Sequence, residues 1–191
     1  MKKLILASSS QYRRKLLSRL QLPFESHSPD IDESPRPDEH PAAMVTRLSE
    51  EKARALARQY NNHLIIGSDQ VAVLGTNVLT KPGSFEAAFE QLSSESGKRV
   101  KFLTGLALLN TSNDTIEVDM VTTEVAFRQL TDLEITNYLH QDEPYDCAGS
   151  FKSEGLGITL FEGIYGTDPT ALVGLPLIRL GQMLRIQNNG K

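Results

Sequence analysis

Short apolar runs that alternate with segments of helical periodicity are the feature that most constrains the fold of this chain. Leu4 to Ala7 and Leu64 to Ile66 are continuous apolar runs of the length expected for buried strands. Ser8-Ser9-Ser10 follows the first run and can begin a helix. The pattern therefore predicts a mixed α/β chain without a sharp domain boundary over its 191 residues.

The rest of the chain continues this alternation. Helices are predicted after Ser10, from Pro41 to about Gln59, around Phe85 to Leu92, from Thr131 and from Pro176, and further strands at Phe24 to Ser28, Val100 to Leu109, Thr115 to Phe127 and Gly157 to Phe161. Thr131 and Glu134 have the spacing of a capping box, which gives the fourth of these helices the clearest start in the chain.

Charge and cysteine content exclude several classes of protein. The 20 Lys+Arg and 24 Asp+Glu give a formal net charge of −4, which disfavours binding to a nucleic-acid duplex but leaves a small anionic ligand open. The single cysteine, Cys147, excludes an intrachain disulfide and a Cys-rich zinc site. The apolar run after Met1-Lys2-Lys3 is too short for a secretory signal, and no later stretch is long enough to span a membrane, so a cytoplasmic protein is expected.

The segment from Ser8 to Arg14 could bind phosphate. It joins a predicted strand to a predicted helix, and the free backbone N–H groups at a helix N-terminus favour an anion there. Arg13 could add a bidentate contact to the phosphate oxygens. The alternative is an ordinary N-cap serine followed by exposed arginines, and composition does not separate the two.

Lys52 is unusual because it lies on the apolar stripe of its predicted helix, between Leu48 and Leu56. A lysine placed there could bind a buried anion. It could equally extend its aliphatic stem along the apolar surface and keep its ammonium group in water.

Two further segments place polar groups where ligands often bind. Gly67-Ser68-Asp69-Gln70 follows directly after the buried run Leu64 to Ile66, and α/β enzymes often place chemistry at the carboxyl end of a core strand. Ala148 to Gly157 is a loop crowded with glycines and polar residues, as ligand-binding loops often are. The alternative for Asp69 is a simple turn aspartate.

Taken together, the motifs in this chain resemble those of the Maf family of nucleotide pyrophosphatases. They occur in the family's order and cover nearly the whole chain: Leu-Ala-Ser-x-Ser-x-x-Arg at 6 to 13, Glu33, Glu51-Lys52-Ala53, Gly67-Ser68-Asp69, Lys81-Pro82, Ala148-Gly149 and Val173-Gly174-Leu175-Pro176. The resemblance implies a Maf/ITPase-like α/β fold: an elongated mixed β-sheet flanked by helices, with two lobes around a central cleft in a single domain over residues 1–191. It also implies a homodimer.

The resemblance further implies hydrolysis of a nucleoside triphosphate between its α- and β-phosphates, giving a monophosphate and pyrophosphate. Asp69 would act as the proton acceptor, and Glu33 and Asp69 would hold a divalent cation, Mg²⁺ or Mn²⁺. The residues expected to bind the triphosphate are Ser8, Ser10, Arg13, Arg14, Lys52, Lys81 and Lys152.

Tyr12, Gln70 and the triplet Lys152-Ser153-Glu154 resemble the subgroup associated with 7-methyl-GTP. The pyrimidine-directed branch has Arg, Thr and Gln in place of Tyr12, Gln70 and Glu154. This chain departs from the usual pattern in having Gln11 for proline and Tyr12 for the subgroup's tryptophan. A methylated guanine is cationic and would stack on Tyr12, while Glu154 could accept hydrogen bonds from the guanine edge. The alternatives are a Maf pyrophosphatase for dTTP, UTP or CTP, and a non-catalytic nucleotide-binding regulator of cell division.

Overall fold

Seven strands and five α-helices make up the computed structural model, which describes residues 2–189. Met1, Gly190 and Lys191 of the predicted domain therefore lie outside the described residues. The strands are β1 (Lys3–Ala7), β2 (Phe24–His27), β3 (His63–Leu74), β4 (Asn77–Leu79), β5 (Arg99–Asn110), β6 (Thr115–Phe127) and β7 (Phe161–Gly166). The helices are α1 (Gln11–Ser18), α2 (Pro41–Ala55), α3 (Phe85–Glu95), α4 (Asp132–Asp142) and α5 (Leu177–Asn189), with 3₁₀ helices at Leu156–Leu160 and Ala171–Val173.

The strands form one mixed sheet in the order β2-β1-β3-β5-β6-β7, with β4 paired to β3. β1 is parallel to both β2 and β3, whereas the β3–β4 and β6–β7 pairs are antiparallel. The predicted α/β class and the mixed sheet are thus confirmed. No helix within residues 2–189 has the length and apolarity needed to cross a bilayer.

The chain folds as two compact units. Unit 1 comprises Met1–Gln70, Thr104–Val121 and Asp168–Lys191, and unit 2 comprises Val71–Leu103 and Thr122–Thr167. In unit 1 alternate residues of β1 face opposite sides of the sheet. Leu4 and Leu6 belong to an apolar cluster that includes residues of α1 and α5. Ile5 and Ala7 belong to a second cluster, which includes Ala53 of α2. The continuous apolar run is explained because both faces of β1 are covered.

Unit 2 has an aromatic core. Phe151 packs edge-to-face against Phe102, Phe127 and Phe161 at ring-centroid distances of 5.3, 5.6 and 4.8 Å. The capping box predicted at Thr131 and Glu134 is present at the start of α4. Each side chain bonds the other residue's backbone N–H, which satisfies two donors that a helix start leaves unpaired.

Two predicted boundaries were wrong. α2 ends at Ala55 rather than near Gln59, because residues 56–59 form a tighter turn in which Leu56 still reaches the core. The segment from Gly157 to Phe161 is a 3₁₀ turn up to Leu160, and β7 begins only at Phe161. A Cβ at Gly157 would lie 2.5 Å from the carbonyl oxygen of Lys152, so this glycine lets the turn pack against the preceding backbone.

Glu95, the last residue of α3, is fully buried, and neither of its carboxylate oxygens has a hydrogen-bond partner within the described part of the chain. Burial raises the pKa of Glu95 well above its ordinary value. The pKa of Glu95 is therefore higher in the folded than in the unfolded state, so Glu95 destabilises the folded protein most at high pH. This loss of folding free energy increases as the pH rises above the unfolded-state pKa, and it is complete once the pH exceeds the folded-state pKa.

We therefore expect Glu95→Met to stabilise the protein at pH 8 by about 1–3 kcal/mol, because it removes an unpaired polar group at similar volume. The gain should shrink as the pH falls toward about 4, where the carboxyl is neutral in both states. Thermal unfolding at several pH values measures this, with Glu90→Met at an exposed position of the same helix as the control. A gain in Tm that is the same at pH 4 and pH 8 would contradict the prediction.

Candidate active site

Asp69 lies inside β3, which excludes the simple turn aspartate that the sequence left open as an alternative. β1 ends at Ala7, whose partner is Gly67, but β3 continues to Leu74 because its later residues pair with β4. Asp69 is thus two residues past the last parallel pair with β1, near the carboxyl end of that strand. Its side chain is 11% exposed.

Two glycines bring α2 into close contact with the strands beside Asp69. A Cβ at Gly67 would lie 2.0 Å from the carbonyl oxygen of Ser49, and one at Gly105 would lie 2.3 Å from that of Val45. The contact lets the backbone N–H of Asp69 donate to Ser49 Oγ at 2.9 Å. Lys52 follows Ser49 by three residues, which is one helical turn, so it lies on the same face of α2.

Lys52 joins two carboxylates. Its Nζ donates to Asp69 Oδ1 at 2.7 Å and to Glu33 Oε2 at 3.0 Å, and its side chain is only 6% exposed. The ammonium group is therefore buried among charged partners and does not extend into water, which excludes the snorkelling alternative. Glu33, with its side chain 56% exposed, supplies the open side of this cluster.

Arg47 of α2 fixes the acidic loop that carries Glu33, and nothing in the sequence singled it out. Its Nε and Nη2 donate to the two oxygens of Glu39 at 2.6 Å each, and Nη2 also donates to the Ser34 carbonyl at 3.3 Å. These hydrogen bonds lower the pKa of Glu39 to about 2. The loop next to Glu33 is thus tied to the same helix that carries Lys52.

The structure brings Ser8, Ser10 and Arg13 together at the start of α1. Ser10 is the N-cap, and its Oγ accepts from the Arg13 N–H at 3.3 Å. Ser8 is buried, and its Oγ accepts from the Ser10 N–H at 3.1 Å and from Arg13 Nη1 at 3.5 Å. Arg13 Nε donates to the Gly174 carbonyl at 2.8 Å.

The Arg13 side chain is within electrostatic range of the carboxylate cluster. Desolvation lowers the pKa of Arg13, while attraction to Asp69 and then to Glu33 opposes that shift. A guanidinium at a helix N-terminus, beside a buried lysine, is an arrangement suited to a polyanion.

The remaining residues of unit 1 predicted to bind the nucleotide differ in their surroundings. Tyr12 is the second residue of α1 and is partly exposed. Arg14 is exposed and lines an open hollow of about 440 Å³ together with residues of β2. Gln70 Nε2 donates to Thr104 Oγ1 at 2.9 Å and to the Ala171 carbonyl at 2.8 Å, so its amide nitrogen is bonded within the protein.

The predicted residues of unit 2 also differ from one another. Lys81 is exposed in the loop between β4 and α3, and Glu154 is exposed beside Ser153. Lys152 Nζ donates to the carbonyl of Asp142 at 2.5 Å and to that of Glu143 at 3.4 Å, so it caps the C-terminal end of α4. A role for these three in substrate binding stays a prediction.

Comparison with known proteins agrees with the motifs. The profile of the family described as Maf-like protein matches residues 3–187. The chain belongs to the Maf family. This confirms the family predicted from the motifs, and Asp69, Lys52, Arg13 and Glu33 are the Maf-motif residues that unit 1 brings together.

Several Maf relatives are similar over nearly the full length. The chain is 60% identical over 184 residues to the 7-methyl-GTP pyrophosphatase of Pseudomonas syringae pv. syringae, covering 96% of each protein. It is 55% identical to the protein of that name from Nitrosococcus oceani, covering 95% of this chain and 91% of the relative. A solved nucleoside-triphosphatase (dITP/XTP pyrophosphatase) from Mycobacterium abscessus aligns over 97% of each chain with 15% identity and a TM-score of 0.46, a likeness too low to bear on function.

The carboxylates of Glu33 and Asp69 have the chemistry to hold a divalent cation. Glu33 Oε2 and Asp69 Oδ1 both contact Lys52 Nζ, so the two carboxylates present oxygen atoms to the same position. Within residues 2–189 no group of three or more His, Cys, Asp or Glu side chains converges on one point. Two carboxylates match the way proteins bind a hard cation such as Mg²⁺, through one or two carboxylates together with substrate phosphates and water.

Proposed function

We propose that this protein is a nucleoside triphosphate pyrophosphatase that acts on 7-methyl-GTP. The observation that carries the proposal is the cluster of Asp69, Lys52 and Glu33, with Arg13 in electrostatic range at a helix N-terminus. A buried carboxylate held by a cation is suited to act on a water molecule, and the cationic groups are suited to the phosphates. The substrate is taken from the name of relatives about 60% identical over nearly the whole chain.

In the proposed reaction, the oxygen of water forms a bond to the α-phosphorus and the bond from that phosphorus to the α–β bridging oxygen breaks. Pyrophosphate leaves with the bridging oxygen and its electron pair. Asp69, which Lys52 contacts in the free protein, takes the proton of the attacking water on a carboxylate oxygen. The monophosphate, the pyrophosphate and the proton taken by Asp69, which it then releases to water, together account for every atom of the triphosphate and the attacking water.

The cations of unit 1 would bind the phosphates. Arg13 keeps Nη2 for the anion, because its Nε donates to the Gly174 carbonyl and its Nη1 to Ser8 Oγ. Lys52 shifts from its carboxylate partners toward the phosphates. Ser8 and Ser10 would place their hydroxyl groups next to the phosphates at the positive end of α1. We assign weaker contributions to Arg14, Lys81 and Lys152. Arg14 and Lys81 are exposed to solvent, and the Lys152 ammonium group is bonded to the Asp142 carbonyl.

Glu33 and Asp69 would hold a Mg²⁺ or Mn²⁺ ion. When bound, such an ion neutralises charge on the phosphate oxygens and makes pyrophosphate a better leaving group. Glu33 suits this role because its exposed carboxylate can leave Lys52 without losing its solvation.

The family motifs support Tyr12, Gln70 and Glu154 as the residues that determine the base preference. Tyr12→Ala should remove stacking on the cationic methylated ring, a loss of about 0.5–2 kcal/mol. It should therefore lower kcat/KM for 7-methyl-GTP more than for GTP, whose ring is neutral. An equal loss for both nucleotides would show that Tyr12 does not detect the ring charge.

Glu154→Gln provides the complementary test. It replaces an acceptor-only group by one that also presents donors, so kcat/KM should fall for both guanine nucleotides while the preference for the methylated one persists. Glu162→Gln, which changes another exposed glutamate of unit 2, is the matched control. A Glu154→Gln enzyme with unchanged kinetics on both substrates would remove this residue from the site.

Release of pyrophosphate from 7-methyl-GTP, GTP, UTP, CTP and dTTP tests the function as a whole. The proposal expects the highest kcat/KM for 7-methyl-GTP. A preference for UTP, CTP or dTTP would identify a pyrimidine-directed Maf pyrophosphatase, and nucleotide binding without turnover would identify a non-catalytic regulator of division. We further propose a single Maf-like domain that works as a homodimer in the cytoplasm, for which the family motifs are the support.

A further inference from the structure

A polar network inside unit 1 holds the turn from Ala171 to Gly174. Thr104 Oγ1 on β5 donates to the Ala171 carbonyl at 3.0 Å and accepts from Gln70 Nε2 at 2.9 Å. Ser68 Oγ on β3 lies 2.9 Å from the Gly174 carbonyl and 2.7 Å from that of Gly105. Ser68 and Thr104 are both fully buried, so any hydrogen bond lost there is not replaced by bulk water.

The same turn holds Arg13. The Gly174 carbonyl that accepts from Ser68 also accepts from Arg13 Nε at 2.8 Å. Gly174 has a φ of 107°, in the left-handed region that favours glycine, and a Cβ there would lie 3.4 Å from Arg13 Nε. The guanidinium therefore rests against a backbone segment whose position is set by buried hydroxyl groups on β3 and β5.

We infer that Ser68 and Thr104 are positioning residues for Arg13. Neither hydroxyl is directed at a ligand. The single Ser68 proton is shared between the Gly105 and Gly174 carbonyls, and Thr104 Oγ1 donates to the Ala171 carbonyl and accepts from Gln70. Their hydrogen bonds fix the turn, the turn fixes Gly174, and the Gly174 carbonyl fixes the direction in which Arg13 presents its terminal nitrogens. The inference rests on the proposed function only in assigning Arg13 to the phosphates.

Thr104→Val keeps the shape of the side chain and removes the hydroxyl. We expect kcat/KM for 7-methyl-GTP to fall about tenfold, the effect of losing one buried hydrogen bond. Thr104→Ser, which keeps the hydroxyl, should restore most of the activity. Thr123→Val is the matched control, because Thr123 is equally buried in β6 and its Oγ1 has no partner among the described residues.

A double-mutant cycle with Arg13→Ala separates positioning from general destabilisation. If Thr104 acts through Arg13, adding Thr104→Val to Arg13→Ala should change kcat/KM by less than twofold. A tenfold loss in both backgrounds would overturn the inference, because the effect of Thr104 would then be independent of Arg13. Unchanged activity of the Thr104→Val single variant would overturn it as well. If Thr104→Val does not fold, the same double-mutant cycle with Arg13→Ala is measured with Ser68→Ala in its place.

The same double-mutant cycle can be built from the Kd of inorganic tripolyphosphate for each variant, a binding measurement that does not depend on turnover. If the wild-type protein releases no pyrophosphate from any nucleotide, the proposed function fails while the binding cycle still tests the coupling between Thr104 and Arg13. Coupled losses of tripolyphosphate affinity support the inference, and independent losses or no loss contradict it.

Discussion

Asp69→Asn should lower kcat for 7-methyl-GTP by about 10²- to 10⁴-fold, the range lost when a general base is removed. Asparagine has nearly the same shape but cannot accept the proton of the attacking water. The fold should be retained, because Lys52 keeps Glu33 as a charged partner and the backbone N–H at this position still donates to Ser49. Single-turnover kinetics with saturating enzyme measure the chemical step directly.

Asp114→Asn is the matched control for this substitution. Its side chain is 83% exposed, and its φ of 53° is one that asparagine adopts readily. It should therefore leave kcat and Tm close to those of the wild type. Turnover by a folded Asp69→Asn protein within tenfold of the wild-type rate would show that another group accepts the proton.

Lys52→Met should abolish most activity and also destabilise the protein. Methionine replaces the aliphatic stem, but the largely buried Asp69 carboxylate loses its cation. Removing one partner of a buried ion pair costs about 3–5 kcal/mol, because the remaining charge is left uncompensated. Thermal unfolding and pyrophosphate release on the same sample measure both effects.

The double variant Lys52→Met, Asp69→Asn separates the two consequences. It removes both charges of the pair, so most of the lost stability should return while activity stays absent. Arg54→Met, on the outer side of the same helix with its side chain 42% exposed, is a control that should change neither property much. A Lys52→Met protein with full activity would contradict the assignment of Lys52 to the site.

Local patterns predicted the parts of the fold that local interactions determine. The α4 capping box and the start of α2 at Pro41 were found where short-range spacing placed them. Lys52 stood out because a lysine on an apolar stripe conflicts with the helix period, and the structure resolves that conflict with the two carboxylates. Such a local conflict is a useful sign of a functional residue.

The features that the sequence did not predict depend on hydrogen bonds between segments that are separate in the chain. Asp69 lies within a strand because β3 pairs with β4 beyond the end of β1, and that pairing is not visible in the residues around Asp69. The hydrogen bond of Thr104 to the Ala171 carbonyl likewise joins residues 67 positions apart in the chain. Gln70 is an example. The family resemblance predicted that Gln70 contributes to base specificity, and the structure shows that its amide nitrogen donates to the Ala171 carbonyl.

The site of bond cleavage tests the central claim most directly. The enzyme is incubated with 7-methyl-GTP in water enriched in ¹⁸O, and both products are examined by mass spectrometry. The account predicts one ¹⁸O atom in 7-methyl-GMP and none in pyrophosphate, because water attacks the α-phosphorus. Formation of 7-methyl-GDP with labelled orthophosphate, label in pyrophosphate, or recovery of intact 7-methyl-GTP would contradict it.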